Sequence, residues 1–288
     1  ALGATLIVMP KFNAAAFVKL SADLKPTHAV LVPVQFMRLM AEPTFDDHDL
    51  TSYRCKFSTS APLPGTLIGQ VMARWPGNLI EVYGMTEGGI STALNCEAFP
   101  EKWDTVGRPG EGVDMRVIDD QGKQLPHGAF GELVGRSASM MQSYHNAPEK
   151  TQELLWTDTN GNHFIRSGDM GRIDEDGFVH LMDRKKDMII SGGFNIYAAD
   201  LEAVLRQHPD VDDAAVIAVP SDSWGETPIG FVVLRKGATT DAKGVLEAAN
   251  AKLGKTQRLS DILLLGDLPR SDIGKILKKD LRAPYWPS

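Results

Sequence analysis

Apolar positions in this 288-residue chain keep helical spacing in some stretches and alternate in others, and these changes of period divide it. The run Ala4-Thr5-Leu6-Ile7-Val8-Met9 predicts a buried strand. Phe17, Leu20 and Leu24 then recur at helical spacing, Lys25-Pro26-Thr27 punctuates, and Ala29-Val30-Leu31-Val32 predicts a second strand stopped by Pro33. A short helix carrying Phe36, Leu39 and Met40 follows. Leu67, Ile68, Val71, Met72 and Trp75 fall at offsets 0, 1, 4, 5 and 8, the stripe of an amphipathic helix, and residues 78–82 predict another strand. Strands and helices in alternation imply an α/β fold with a parallel sheet, whose ligands collect at the carboxyl ends of the strands. Tyr83-Gly84-Met85-Thr86-Glu87-Gly88-Gly89 stands at such an end.

From Val106 the pattern becomes an alternation, as in Val113, Met115 and Val117, broken by Asp119-Asp120-Gln121-Gly122 and Asp174-Glu175-Asp176-Gly177. These read as hairpin turns in an antiparallel β subdomain. After Asp187 it changes again. Helices are marked by Leu201, Val204, Leu205 and His208, then by Val245, Leu246, Ala249 and Leu253. Residues 214–219, 229–234 and 262–265 read as strands, and 276–281 as a last helical turn. A smaller α+β domain of about 100 residues is expected, joined to the rest near Arg184 to Asp187.

Composition narrows the function. The length suits two domains, and 43% hydrophobic residues supply a sizeable core. Thirty basic against 37 acidic residues give a net charge of −7, with no basic stripe, which argues against nucleic acid and anionic membranes while leaving local phosphate binding open. Cys55 and Cys96 form no CxxC or Cys/His cluster, which argues against a disulfide framework or structural zinc and suits a reducing compartment. No apolar run has transmembrane length and no signal-peptide pattern opens the chain, so a cytoplasmic protein is expected. The immediate entry into an apolar run suggests a portion of a longer protein.

Several short stretches carry chemistry. Ser167-Gly168-Asp169 puts a carboxylate beside a glycine, suited to sugar hydroxyls, and Arg184 adds a planar fork of donors. Lys185, Lys186 and Asp187 crowd charge between two apolar strands, and Ser191-Gly192-Gly193 permits close backbone approach. Taken singly, these are equally an exposed turn, a solvated charge run and a plain loop. In the Tyr83 to Gly89 stretch a threonine hydroxyl suits a phosphate oxygen and a carboxylate suits Mg²⁺, although Thr86 is equally a helix cap. Ser58-Thr59-Ser60-Ala61-Pro62-Leu63 is a small-residue turn against which a flat ring could lie. Leu268-Pro269-Arg270-Ser271-Asp272-Ile273-Gly274-Lys275-Ile276 presents a lysine on a glycine-bearing loop. It is no Walker A loop, because Pro269 stands where the first glycine is needed and Ile276 replaces the Ser/Thr. Gly107-Arg108-Pro109-Gly110-Glu111-Gly112 likewise misses the dinucleotide spacing. The seven histidines form no HExxH or paired arrangement, which favours surface or core roles over catalysis.

Taken together and in this order, the stretches resemble the adenylate-forming superfamily of acyl-CoA synthetases, adenylation domains and luciferases, over essentially the whole chain. The resemblance implies that residues 1–185 are the C-terminal part of a large nucleotide- and acyl-binding domain and residues 186–288 a small mobile domain. It implies that Ser60, Ala61 and Pro62 border the adenine, with Glu81 accepting from its amino group and Tyr83 stacking on the base, in a loop with Gly84 and Met85. Thr86 would bond the α-phosphate and Glu87 hold Mg²⁺, Asp169 and Arg184 take the ribose, and Lys275 bridge substrate carboxylate and α-phosphate. Lys186 matches the family's pivot.

The implied reaction is an ATP-dependent acid:CoA ligation. A carboxylate attacks the α-phosphate and pyrophosphate leaves; a thiol then attacks the acyl-adenylate and AMP leaves. One lysine cannot remain on the phosphate while the thiol enters, and a rotating domain resolves the conflict. Gly192, Gly193 and Trp224 resemble the CoA-binding elements of acyl-CoA ligases, and Arg258 is equally a CoA-phosphate contact or a solvated arginine. Gly88 and Gly89 leave room for an aryl or a medium to long acyl group. Ala198 replaces a frequent proline and Thr59-Ser60 a frequent Gly-Gly. The family's Ser/Thr/Gly-rich phosphate loop would lie upstream of Ala1. Partners are thus a small carboxylic acid, ATP and CoA, with a homo-oligomer left open. The alternatives are an adenylation domain loading a carrier-protein thiol, and a non-catalytic nucleotide-binding or interaction module.

Overall fold

In the computed structural model, which describes residues 3–271 and 274–286 and of Asp183 and Lys186 the backbone alone, the chain divides into two compact units. Ala1–Asp114, Arg136–Gln142 and Asp174–His180 form the first, and the remaining segments form the second.

Asn13 accepts the Ala16 N–H at 2.8 Å and so caps α1 (Ala14–Leu24), which ends at Lys25 in the left-handed region. The core side of α1 is Val18 and Ser21, with Phe17 packed beside them, while Leu20 and Leu24 of the predicted stripe point out. Strand β1 (His28–Leu31) leads into α2 (Pro33–Met40), whose Pro33 suits the first helical turn and whose Phe36, Leu39 and Met40 are buried as their spacing predicts. Strand β2 (Cys55–Ser58), α3 (Gly65–Arg74) and β3 (Asn78–Gly84) follow. Trp75 anchors this core, with Tyr53, Phe45 and Phe17 set edge-on around it.

The sheet runs β1-β2-β3-β4-β5, with β4 at Ser91–Asn95 and β5 at Arg108–Pro109. Pairing is parallel from β1 to β3, as expected, and antiparallel from β3 onward, so the sheet is mixed. Residues 4–9 form no strand, and Leu6 and Val8 are exposed, because no described strand lies alongside for them to pair with.

The second sheet has the order β10-β9-β7-β6, made of β6 (Asp114–Ile118), β7 (Gly131–Arg136), β9 (His163–Ile173) and β10 (Val179–Arg184). Helix α4 (Pro148–Leu154) and β8 (Leu155–Thr157) precede β9, on which β8 pairs. Both predicted turns close with a hydrogen bond, Gly122 N–H to Asp119 O and Gly177 N–H to Asp174 O, each at 3.0 Å. The rest of the second unit is a third sheet, β12-β11-β14-β13, with β15 beside β14. Its strands are β11 (Ile189–Ser191), β12 (Phe194–Ile196), β13 (Val211–Ser221), β14 (Gly225–Leu234) and β15 (Asp261–Leu265), with α5 (Ala198–Arg206), α6 (Ala242–Lys252) and α7 (Lys278–Arg282) as helices. Alternate residues of β13 feed two cores. Ala214, Val216 and Ala218 pack with α5 and α6, while Ala215, Ile217 and Val219 pack with Leu268 and Leu281. The result is an α/β region, an antiparallel β subdomain and a smaller α+β region, as the sequence predicts.

Candidate active site

In the first unit the predicted residues gather at the carboxyl ends of β2 and β3. Parallel register sets Ser58 beside Glu81, and both are buried. Glu81 Oε1 accepts the Leu63 N–H at 3.3 Å, whereas Glu81 Oε2 and Ser58 Oγ have no hydrogen-bond partner among the described residues. Burial pushes the Glu81 carboxyl from about 4.5 up to about 7, against the smaller downward pull of the Ser58 hydroxyl, close by but not aligned as a donor, and the Leu63 amide. Between them, Ser60 holds a φ of 78°, the left-handed backbone a glycine would take without strain; Ala61 is half-buried and Pro62 exposed.

Tyr83 and Gly84 close β3, paired with Thr92 and Ser91 of β4. The chain then turns, with the Gly88 N–H donating to Met85 O at 3.0 Å, an exposed Thr86 and a half-buried Glu87. The loop is stitched to residues 137–141: the Met141 N–H donates to Glu87 O at 2.8 Å and the Gly89 N–H to Ser137 Oγ at 3.3 Å. A β carbon on Gly88 would lie 2.2 Å from Ser139 O, and φ there is 74°. The room expected beside Gly88 is therefore filled by backbone, and its glycine serves this close approach.

In the second unit Ser167, Gly168 and Asp169 lie inside the long strand β9, not in a turn between elements. Glu132 pairs with Met170 and Val134 with Arg166, so the three residues bulge from the ladder, with Gly168 at φ 67°. Ser167 Oγ donates to Leu133 O at 2.7 Å and accepts the Asp169 N–H at 2.9 Å, which fixes the bulge. Asp169 is thereby aimed at Arg184, whose Nε is 2.8 Å from Asp169 Oδ1.

Lys186 sits in a single helical turn, Lys185–Asp187, and its side chain lies outside the described set. Gly192 and Gly193 form the two-residue turn between β11 and β12, with φ 56° and 82°, the positive values a tight hairpin requires. The Gly192 N–H donates to Trp224 O at 2.8 Å, and a β carbon on Gly192 would fall 2.7 Å from Cε3 of the exposed Trp224 ring. Arg258 is exposed ahead of β15. Lys275 is exposed at the end of a turn held by Gly274 N–H to Ser271 O at 2.8 Å and Ser271 N–H to Lys275 O at 2.9 Å; Asp272 and Ile273 of this loop lie outside the described residues. A hollow of about 200 Å³ between α5 and α6, lined by Val204, His208, Val245 and Lys252 among others, holds none of these residues.

Three features escaped the sequence reading. The 137–141 backbone has no motif of its own. Buried Lys56 donates to the Trp75 and Pro76 carbonyls at 2.8 and 3.0 Å, beyond the end of α3, while burial pulls its ammonium down to about 8. Buried Glu132 joins Arg166 and Lys185. Their only signal was a charged residue within an apolar strand pattern.

The chain belongs to the AMP-binding enzyme family: that family matches residues 1–145, and its C-terminal domain matches residues 200–275. It is 34% identical over 287 residues to 4-coumarate–CoA ligase 2 of Nicotiana tabacum, covering 98% of this chain and 52% of the relative. It is 33% identical over 281 residues to indoleacetate–CoA ligase of Aromatoleum aromaticum, covering 97% and 54%. The chain thus spans about half the length of the curated relatives it matches. Among solved structures it resembles the amide bond synthetase McbA from Marinactinospora thermotolerans, with a TM-score of 0.86 at 32% identity over 96% of this chain and 57% of that one. ATP-bound MatB from Rhodopseudomonas palustris follows at 0.85 and 32%, over 96% and 54%.

Proposed function

We propose that the protein carrying this chain is an ATP-dependent acid:CoA ligase, which activates a carboxylic acid as its acyl-adenylate and passes the acyl group to CoA. The observation that carries this reading is the Asp169–Arg184 pair. A carboxylate and a guanidinium held side by side by a strand bulge offer an acceptor and donors to adjacent hydroxyls, as on a ribose. Family membership supports the adenylating half, and the names of the two relatives support an aromatic acid as substrate.

In this reading Ser60, Ala61, Pro62, Glu81, Tyr83, Gly84 and Met85 surround the base, and the Thr86 hydroxyl donates to the α-phosphate. Among the described residues no three acidic, histidine or cysteine side chains cluster into a cation cage. Glu87 alone fits Mg²⁺, which takes one or two carboxylates and fills its shell with phosphate oxygens and water; when bound it would neutralise phosphate charge. Lys275 brings its ammonium to the substrate carboxylate and α-phosphate. Holding the nucleophile in line and stabilising charge supply most of the rate, each such contact contributing roughly 3 kcal/mol.

Functionally the chain divides at Lys186, with residues 1–185 holding nucleotide and acid and residues 186–288 carrying Lys275 and the Gly192–Trp224 contact toward CoA, assisted by Arg258. No described helix is long and apolar enough to cross a membrane. The reducing compartment expected from cysteine usage is part of the same reading.

A second reading keeps the adenylate and changes the acceptor to a carrier-protein thiol or an amine, and likeness to an amide bond synthetase motivates it. One experiment separates them. The intact protein is given ATP, Mg²⁺ and a panel including 4-coumarate and indoleacetate, and acid-dependent pyrophosphate exchange and acyl-CoA formation are followed. Exchange with acyl-CoA supports the ligase; exchange that stalls at the adenylate supports the other acceptor; no exchange with any acid removes both.

A further inference from the structure

The residues on either side of Lys186 are tied to different elements. Lys185 Nζ lies 2.9 Å from Asp120 Oδ1, in the turn after β6, and 3.2 Å from Glu132 Oε2 on β7. Glu132 is itself buried and accepts Arg166 Nε from β9 at 3.2 Å, so Lys185 is moored to a cross-strand network of the second sheet. On the other side, Asp187 Oδ1 lies 2.7 Å from an Arg282 terminal nitrogen on α7, an ion pair of two largely buried groups rather than an aligned hydrogen bond. Between the moorings the backbone makes one helical turn, with extended Arg184 (φ −73°, ψ 136°) and Met188 (φ −65°, ψ 136°) at its ends. The Met188 N–H donates to Arg184 O at 3.1 Å.

With the second sheet held still, rotation about φ of residue 185 would drag its side chain off Glu132, and rotation about ψ of residue 187 would separate Asp187 from Arg282. Loss of Lys185 would leave buried Glu132 with Arg166 as its cationic partner, whereas separation from Arg282 would take that countercharge from the largely buried Asp187. Lys186 is the position between them. We propose that Lys185 and Asp187 are positioning residues, which confine the turning motion to the backbone of Lys186 and so give the mobile region defined end points. This rests on the reading of Lys186 as the pivot.

The test compares Lys185→Met, Lys185→Arg and Asp187→Asn with the parent in the intact protein, by hydrogen exchange resolved to residues 184–190. Loss of a mooring is expected to raise exchange at the Met188 amide roughly tenfold, Arg at 185 to restore it, and β7 and β9 to keep parental protection. Unchanged exchange at Met188 overturns the proposal. So does protection lost throughout β7 and β9, which would make Lys185 a stabiliser of the sheet alone. If Lys185→Met misfolds, Asp120→Asn, which alters a mostly exposed acid, is expected to give a smaller shift of the same kind. With 4-coumarate as substrate, Lys185→Met is also expected to lower the thioester rate more than the adenylate rate. Where that acid is not turned over, exchange alone decides. Lys186→Pro separates the two layers: if it slows thioester formation while the mooring variants exchange like the parent, the pivot stands and the moorings fail. If it changes neither step, the pivot reading fails first.

Discussion

The indole of Trp224 lies so close over the α carbon of Gly192 that a β carbon there would fall 2.7 Å from Cε3 of the ring. Gly192→Ala must displace the ring and also adopt φ 56°, a left-handed value. Stability should drop by about 1 kcal/mol. If the pair receives CoA, the KM for CoA should rise roughly tenfold while pyrophosphate exchange is unchanged. Steady-state kinetics with varied CoA checks this; an unaltered KM would separate the contact from CoA binding.

Glu81 makes stability depend on pH in a defined direction. Its carboxyl titrates near 4.5 when unfolded and near 7 in the buried site, so the folded chain holds the proton more tightly. The stabilisation is complete below about pH 4.5 and is lost as pH rises toward 7, a fall on the order of 3 kcal/mol. Urea unfolding of parent and Glu81→Gln across this window should show a slope in the parent that the variant lacks. Parallel slopes would show that Glu81 is not the titrating group.

Gly88→Ala should loosen the loop that carries Thr86 and Glu87. The added carbon would meet the Ser139 carbonyl at 2.2 Å on a backbone with φ 74°. The expected loss is about 2–4 kcal/mol, read by thermal or urea denaturation. A variant as stable as the parent would mean that the 137–141 segment does not pack on this loop.

Much of the fold was legible because local periodicity coincides with burial: Phe36, Leu39 and Met40, or Leu67, Ile68 and Val71, face the core at the spacing their helices require. Leu20 and Leu24 show the limit, since periodicity finds a stripe but the core selects Val18 and Ser21 on the same helix. Residues 4–9 have strand composition, yet a strand exists only through a neighbour. The candidate site was legible where a motif is local, as in the turn at Gly192 and Gly193. It was hidden where geometry is made between distant strands. That Ser167, Gly168 and Asp169 bulge follows from two-against-four pairing with β7, and Glu132 meets Lys185 across 53 positions of sequence. Spacing along the chain encodes neither.

The central claim, a two-step ligase in which Lys275 serves adenylate formation, is tested most directly by Lys275→Ala in the intact protein, with the two steps assayed separately. Pyrophosphate exchange driven by the acid should fall at least about a hundredfold, while attack of CoA on a supplied acyl-adenylate should remain near the parental rate. Equal loss of both steps would contradict the assignment.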